Sequence, residues 1–199
     1  ESLCSLGSRI GLSDFNILTY CNDLCNRYGI DNNSIGGVIG FAMECYERDV
    51  INSKDTDGLE LKWGDPEAII NLIHKIAKRE GFGNVLADGV KMATAKIGRG
   101  SEKFAMHVKG LEISAQDGRA QKSMGLAHAT AARGADHLYA YAVLDEIGFE
   151  DAIAERFGAK YLPEIGDRLS PKYKGFMVKE SEDLCAIADS LVTCKFGTG

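Results

Sequence analysis

The apolar positions of this chain fall mostly at helical spacing. Phe15, Leu18, Cys21, Leu24, Cys25 and Tyr28 recur at intervals of three and four, with Ser13 ahead as a cap and Gly29 behind as a stop. Asp31-Asn32-Asn33-Ser34 reads as a turn and cap for a second helix from Ile35 to about Asp49. That helix is apolar nearly all round until Glu44, which predicts burial. Asp65-Pro66 places a cap and a first-turn proline before a third helix ending at Gly81. A fourth is expected from Asn84 to about Ile97, and later ones at about Arg119 to Arg133, Glu150 to Phe157, and from Ser170-Pro171 to about Leu191. Only Lys103 to Ser114 alternates with a period of two, which predicts a strand. The pattern predicts a mainly α fold with little or no β, and the strand-like stretch Ser101–Lys109 marks a candidate domain boundary.

Composition narrows the function classes. The chain has 199 residues, enough for one large domain or two modest ones, and 45% are hydrophobic, which excludes a disordered chain. The net charge of −6 is opposite in sign to what a nucleic-acid backbone requires, so no nucleic-acid partner is expected. The longest apolar run, Ile35 to Met43, is about half of what a membrane span needs and contains glycines, so no membrane insertion is expected either. Six cysteines are scattered without a CxxC pair, which favours a reduced, cytoplasmic protein. No initiating Met precedes Glu1, and the chain stops in the loop-like Phe196-Gly197-Thr198-Gly199. The expectation is a piece of a longer protein.

The common catalytic motifs are missing. Gly36-Gly37-Val38-Ile39-Gly40 and Gly81-Phe82-Gly83 neither follow a strand nor complete a dinucleotide fingerprint. Cys21 and Cys25 lie one helical turn apart but lack further ligands nearby, and core packing accounts for them. His74, His107 and His128 read as packing or surface residues. His137 differs: it follows Arg133-Gly134-Ala135-Asp136, where a helix gives way to loop with an acid and an arginine close by.

Taken together, several segments resemble one family, the tungsten-dependent aldehyde:ferredoxin oxidoreductases. They are LGSRIGLSDF, CNDLCNRYGIDNNSIGGVIGFAMECYERD, LELKWGD, KIAKREGFGNVLADGV, MHVKGLEISAQDGRA, GLAHATAARGADHL and DSLVTCKFG, in the family's order across nearly the whole chain. The resemblance is to the family's second and third, helical domains, with 1–105 like the second and 106–199 like part of the third. It implies that the N-terminal β domain holding the cofactor, and a Cys-x2-Cys-x3-Cys run, belong to sequence upstream of Glu1.

The resemblance further implies tungsten, or molybdenum in its place, on two pyranopterins, each seated by a D-x-x-G-L-(C/D) loop. Asn26-Arg27-Tyr28-Gly29-Ile30-Asp31 matches the first loop, and Asp189-Ser190-Leu191-Val192-Thr193-Cys194 the second. A carboxylate can accept from the pterin's N–H edge, and a glycine lets backbone approach the ring. Here Asn26 stands for an acid, and Val192-Thr193 for Gly-Leu. Asp55-Thr56-Asp57-Gly58-Leu59 fits the pattern literally but outside the matching position, and reads as a decoy.

By the same carry-over, Glu1 takes the place of the carboxylate beside the tungsten and His137 that of the imidazole facing the substrate carbonyl. Cys194 takes the place of the fourth ligand of a [4Fe–4S] cluster. Cofactor-binding positions are thus Asn26, Gly29, Ile30, Asp31, Asp189 and Thr193. Tyr20 and Ile70 stand where some members carry ligands to an intersubunit metal, so a homodimer is expected to lack that bridge. The implied activity is oxidation of an aldehyde to a carboxylic acid with electrons passed to ferredoxin. Both cofactors are expected only in the full-length protein, and the fragment alone is expected to be inactive. The alternatives are a family relative acting on another substrate, such as a ring reductase or keto-acid enzyme, and a catalytically silent helical assembly module.

Overall fold

The computed structural model describes residues 1–146 and 148–197; Thr198 and Gly199 of the expected loop-like end lie outside the described residues. The chain is mainly α, as the periodicity predicts, and divides into two compact units, Glu1–Ala115 and Gln116–Gly199. Among the described residues no helix is long and apolar enough to cross a membrane.

The first unit contains α1 (Ser2–Ser5), α2 (Phe15–Tyr28), α3 (Asn32–Glu47), α4 (Pro66–Lys78), α5 (Phe82–Leu86) and α6 (Val90–Ile97), followed by a short hairpin. Leu18, Cys21, Leu24 and Cys25 of α2 enter one core with Ile39 and Met43 of α3 and Ile69, Leu72 and Ile73 of α4. Phe15, expected on that stripe, is 66% exposed. Asp14 rather than Ser13 caps α2, its Oδ1 accepting from the amides of Asn16 (2.9 Å) and Ile17 (3.1 Å). Asp65 caps α4 with Pro66 in the first turn, as the sequence predicts.

Three expected elements change, two of them because a distant carboxylate caps a helix start. The third helix stops at Lys78, with Arg79 left-handed, and not at Gly81. Gly81 is needed one step later, where the Asp57 carboxylate accepts from the Phe82 amide at 2.8 Å to start α5. A Cβ on Gly81 would lie 2.0 Å from that carboxylate oxygen. The helix expected from Asn84 to Ile97 is broken at Gly89 (φ 85). Buried Glu112 caps the second half, accepting from the Val90 amide at 2.6 Å. The strand expected over Lys103–Ser114 is instead a 3-10 turn (Ser101–Phe104) and the two short strands β1 (His107–Val108) and β2 (Leu111–Glu112), pairing His107 with Glu112 and Val108 with Leu111. Lys109 (φ 55) and Gly110 (φ 98) make the two-residue turn between them, where both central residues take positive φ.

The second unit contains α7 (Lys122–Thr130), α8 (His137–Ala140), α9 (Glu150–Phe157) and α10 (Lys174–Ser190). α10 packs on α7 and α8 through Val178, Met124, Ala127 and Ala140. It begins four residues after Ser170 because Tyr173 is left-handed (φ 61). Under its first turn lies a buried polar knot. Lys174 Nζ reaches the Asp145 carboxylate at 2.7 Å and the Ile165 carbonyl at 2.6 Å. The other Asp145 oxygen accepts from Gln121 Nε2 and Ser123 Oγ, both at 2.8 Å. Lys174 Nζ and both Asp145 oxygens thus find partners inside the unit, which fixes the start of α7 and the turn after α8 to α10.

Candidate functional site

In the first unit, the site residues gather where α1 meets the start of α3. Glu1 is the residue before α1, and its Oε2 accepts from Asn33 Nδ2 at 2.8 Å. α1 can lie directly on α3 because Gly36 carries no side chain: a Cβ there would stand 2.2 Å from the Ser5 carbonyl oxygen. Ser5 Oγ donates to the Asn32 carbonyl at 2.8 Å, and Arg9 donates to the Asn33 carbonyl at 3.1 Å. Asp31 precedes this cluster. Its carboxylate accepts from the Ser34 amide at 2.7 Å and caps α3, so one of its oxygens serves the fold.

The two loops singled out in the sequence adopt one conformation. Each is the end of a helix, α2 in one unit and α10 in the other. Gly29 N–H donates to the Asn26 carbonyl (3.2 Å) and Ile30 N–H to the Cys25 carbonyl (2.9 Å). At the same steps of the second loop, Val192 N–H donates to the Asp189 carbonyl (3.1 Å) and Thr193 N–H to the Ala188 carbonyl (2.9 Å). Both fourth positions are left-handed, Gly29 at φ 67 and Val192 at φ 56. This is the double-bonded helix end that normally calls for glycine.

Each loop carries a different half of the expected cradle. No atom lies within 4 Å of where a Cβ on Gly29 would stand, so that backbone is open to a flat ring, but the first position is the exposed amide of Asn26. In the second loop the Val192 side chain, 93% exposed, stands over the same point, while the first position is the carboxylate of Asp189 and the sixth the exposed thiol of Cys194. Carboxylate, amide oxygen and open backbone suit the N–H edge of a planar heterocycle, and an exposed cysteine suits iron. The residues present fit both groups.

His137 opens α8 and is 7% exposed. Asp136 caps α8 through the Leu138 amide (2.9 Å) and holds Arg133 Nε at 2.6 Å. Burial alone would raise the Asp136 carboxyl, but Arg133 and the Leu138 N–H hold it below its ordinary value. His128, buried on α7, is pushed down by burial and is a neutral imidazole near neutral pH. The second loop reaches α8 directly: Lys195 Nζ donates to the Leu138 carbonyl at 2.8 Å and pairs with Asp189 Oδ2 at 2.8 Å. Phe196 meets Tyr141, the residue after α8, edge to face at 5.1 Å. The second unit thus brings His137, Asp189, Thr193 and Cys194 together, and the first brings Glu1 beside the residues that follow Asp31.

Other sequence candidates resolve into structure. Burial pushes the thiols of Cys21 and Cys25 up to about 11 and about 12, which keeps them neutral core residues. His74 Nδ1 meets the Tyr28 hydroxyl at 2.8 Å, and the Gly110 amide donates to His107 Nδ1 at 3.2 Å. In the Asp55–Leu59 loop, Asp55 binds both guanidinium nitrogens of Arg99 and Asp57 binds Lys75, so its acids serve folding. Asn33 and Lys195 were not legible as site residues, because neither lies in a spacing that chemistry requires.

Comparison with known proteins follows the same lines. A family described as "Aldehyde ferredoxin oxidoreductase, domains 2 & 3" matches residues 1–199. The tungsten-containing aldehyde ferredoxin oxidoreductase of Pyrococcus horikoshii is 36% identical over 201 residues, covering 100% of this chain and 31% of that protein. The aliphatic sulfonate oxidoreductase, WOR-like subunit, of Pyrococcus furiosus is 32% identical over 158 residues, covering 76% of this chain and 25% of that protein. Among solved structures, the active site complex BamBC of benzoyl coenzyme A reductase with 1,5 dienoyl-CoA superposes with a TM-score of 0.70 at 22% identity. That match covers 92% of this chain and 31% of the other, and shows a shared fold.

Proposed function

The chain belongs to the aldehyde ferredoxin oxidoreductase family and spans about a third of the length of its curated relatives, and from that premise we propose that it is the helical part of an enzyme oxidising aldehydes to carboxylic acids. The overall change is aldehyde plus water to acid, releasing two electrons and two protons. When bound, a tungsten bis-pyranopterin would accept the electron pair and a [4Fe–4S] cluster would pass the electrons singly to ferredoxin. The observation that carries this reading is the shared helix-end conformation of Asn26–Asp31 and Asp189–Cys194, the two segments that match the family's pterin loops.

The chain's own residues divide the work. Asn26 and Asp189 accept from the ring edges, with Gly29, Ile30 and Thr193 forming the backbone turns and Asp31 fixing the first loop to α3. His137 donates a hydrogen bond to the substrate carbonyl oxygen, where negative charge develops as the carbonyl is attacked. Glu1, steadied by Asn33, receives the proton released from the attacking water. Cys194 supplies one thiolate to iron. The 32% identity to a sulfonate oxidoreductase subunit supports a second reading, a family relative with another substrate.

Elemental analysis of the full-length protein tests the proposal. Tungsten and about four irons per chain are expected, and a protein free of both would instead be a silent helical module. In the loaded enzyme, His137→Ala should lower kcat by roughly 10²–10⁴-fold with tungsten unchanged. Activity on aldehydes within about threefold of wild type would reduce His137 to a packing residue.

A further inference from the structure

We infer that Lys195 is a positioning residue of this site, clasping the short helix that carries His137 to the turn that carries Asp189 and Cys194. The inference rests on the site reading above. Lys195 is flanked by exposed Cys194 and Phe196, yet only 13% of its side chain is exposed. An ammonium drawn out of water at an otherwise exposed turn needs compensating partners, and these include the Leu138 carbonyl and the Asp189 carboxylate, each at 2.8 Å.

The helix it grips is weak by itself. α8 has four residues, with the Tyr139 amide bonding the Asp136 carbonyl at 3.4 Å and the Tyr141 amide the His137 carbonyl at 3.1 Å. So short a helix is not stabilised by its own bonds, and the carbonyls of its last turn favour a cation. Asp136 secures the front of α8, and Lys195 secures a carbonyl from the opposite side. The Tyr141–Phe196 ring contact also joins the loop to this region, but an edge-to-face contact fixes direction less well than a hydrogen bond. Two consequences follow. The imidazole of His137 is held in register with the cofactor loop, and a positive charge sits next in sequence to the thiol proposed to bind iron. A nearby cation stabilises the reduced cluster and raises its potential.

The test uses the full-length protein with Lys195→Met and Lys195→Gln. Wild type is first assayed for tungsten and iron; absence of both would sink the site reading itself, independently of Lys195. In loaded protein, K195M should lower kcat by roughly tenfold or more while KM changes less than about threefold, because misplacement of a catalytic group costs turnover before binding. Its cluster potential, followed by EPR titration, should become more negative than that of wild type. The glutamine amide can still donate to the Leu138 carbonyl but carries no charge, so K195Q should recover most of the kcat and keep the lowered potential. Wild-type kcat and potential in loaded K195M overturn the inference. If K195M fails to load, K195Q decides it, and an unshifted potential there overturns it equally.

Discussion

Gly29 and Val192 occupy the same step of two equivalent helix ends, both left-handed, yet only the first is free of a side chain. A β-branched residue pays for this conformation with a clash between Cβ and the carbonyl that follows, roughly 1–2 kcal/mol. Val192 regains nothing by packing, being 93% exposed. Val192→Gly should therefore stabilise the protein. The gain, net of the roughly 0.5–1 kcal/mol entropic cost of glycine, is about 0.5–1 kcal/mol. Denaturant titration should show a raised midpoint with unchanged slope; a lowered midpoint would mean that Val192 contributes something its exposure conceals.

The Lys174–Asp145 pair gives the opposite sign. Their side chains are 3% and 0% exposed, and Asp145 also holds Gln121 and Ser123. Lys174→Met leaves a buried carboxylate without its cation and should cost about 3–5 kcal/mol. The same denaturant titration measures it. A loss under about 1 kcal/mol would mean that water reaches the knot in solution.

Acid should act on the first unit through two surface carboxylates. The Asp55 carboxyl is held down to about 2 by hydrogen bonds from Arg99 and the Asn52 amide, and the Asp88 carboxyl to about 2 by Arg79 and Lys96. A carboxyl lowered in the folded state adds stability above its unfolded pKa, near ~4, and loses it as pH falls through its folded value. Stability should therefore decline between pH ~4 and ~2, and Arg99→Ala should flatten that decline. Chemical denaturation at stepped pH in this window reads both slopes; an identical profile in the variant would remove Asp55 from the account.

The helices were legible because their apolar stripes and caps are local: Leu18, Cys21, Leu24 and Cys25 lie on one face of α2, and Asp65-Pro66 opens α4 as read. The boundaries that moved depend on partners far along the chain. Glu112 capping Val90 and Asp57 capping Phe82 join residues 22 and 25 positions apart, and no window reveals them. The site divides in the same way. The loops and Cys194 could be read from their resemblance to a family pattern, since each is a contiguous string. Lys195 could not, because its role consists of reaching Leu138, 57 positions earlier. Nor could periodicity show that Val192 would keep a glycine's conformation; that is imposed by the bonds back to Asp189 and Ala188.

Cys194 offers the cleanest test of the iron assignment, because its thiol is exposed and outside every hydrophobic cluster. For a buried cysteine, replacement by serine would mix loss of packing with loss of ligation. Here Cys194→Ser should leave folding stability unchanged within about 0.5 kcal/mol. Asp189 and the first loop remain, so tungsten in the full-length protein should stay largely bound. Iron should not, since a hydroxyl is a poorer ligand for a thiolate-seeking cluster than sulfur. The expected result is a lowered iron content or a shifted EPR signal at near-normal tungsten, with electron delivery to ferredoxin falling further than metal content does. Joint loss of tungsten and iron would mean that Cys194 shapes the whole loop beyond its sulfur. Full iron with an unaltered [4Fe–4S] signal would show that Cys194 is not a ligand, and would leave the second loop with Asp189 as its only chemical role.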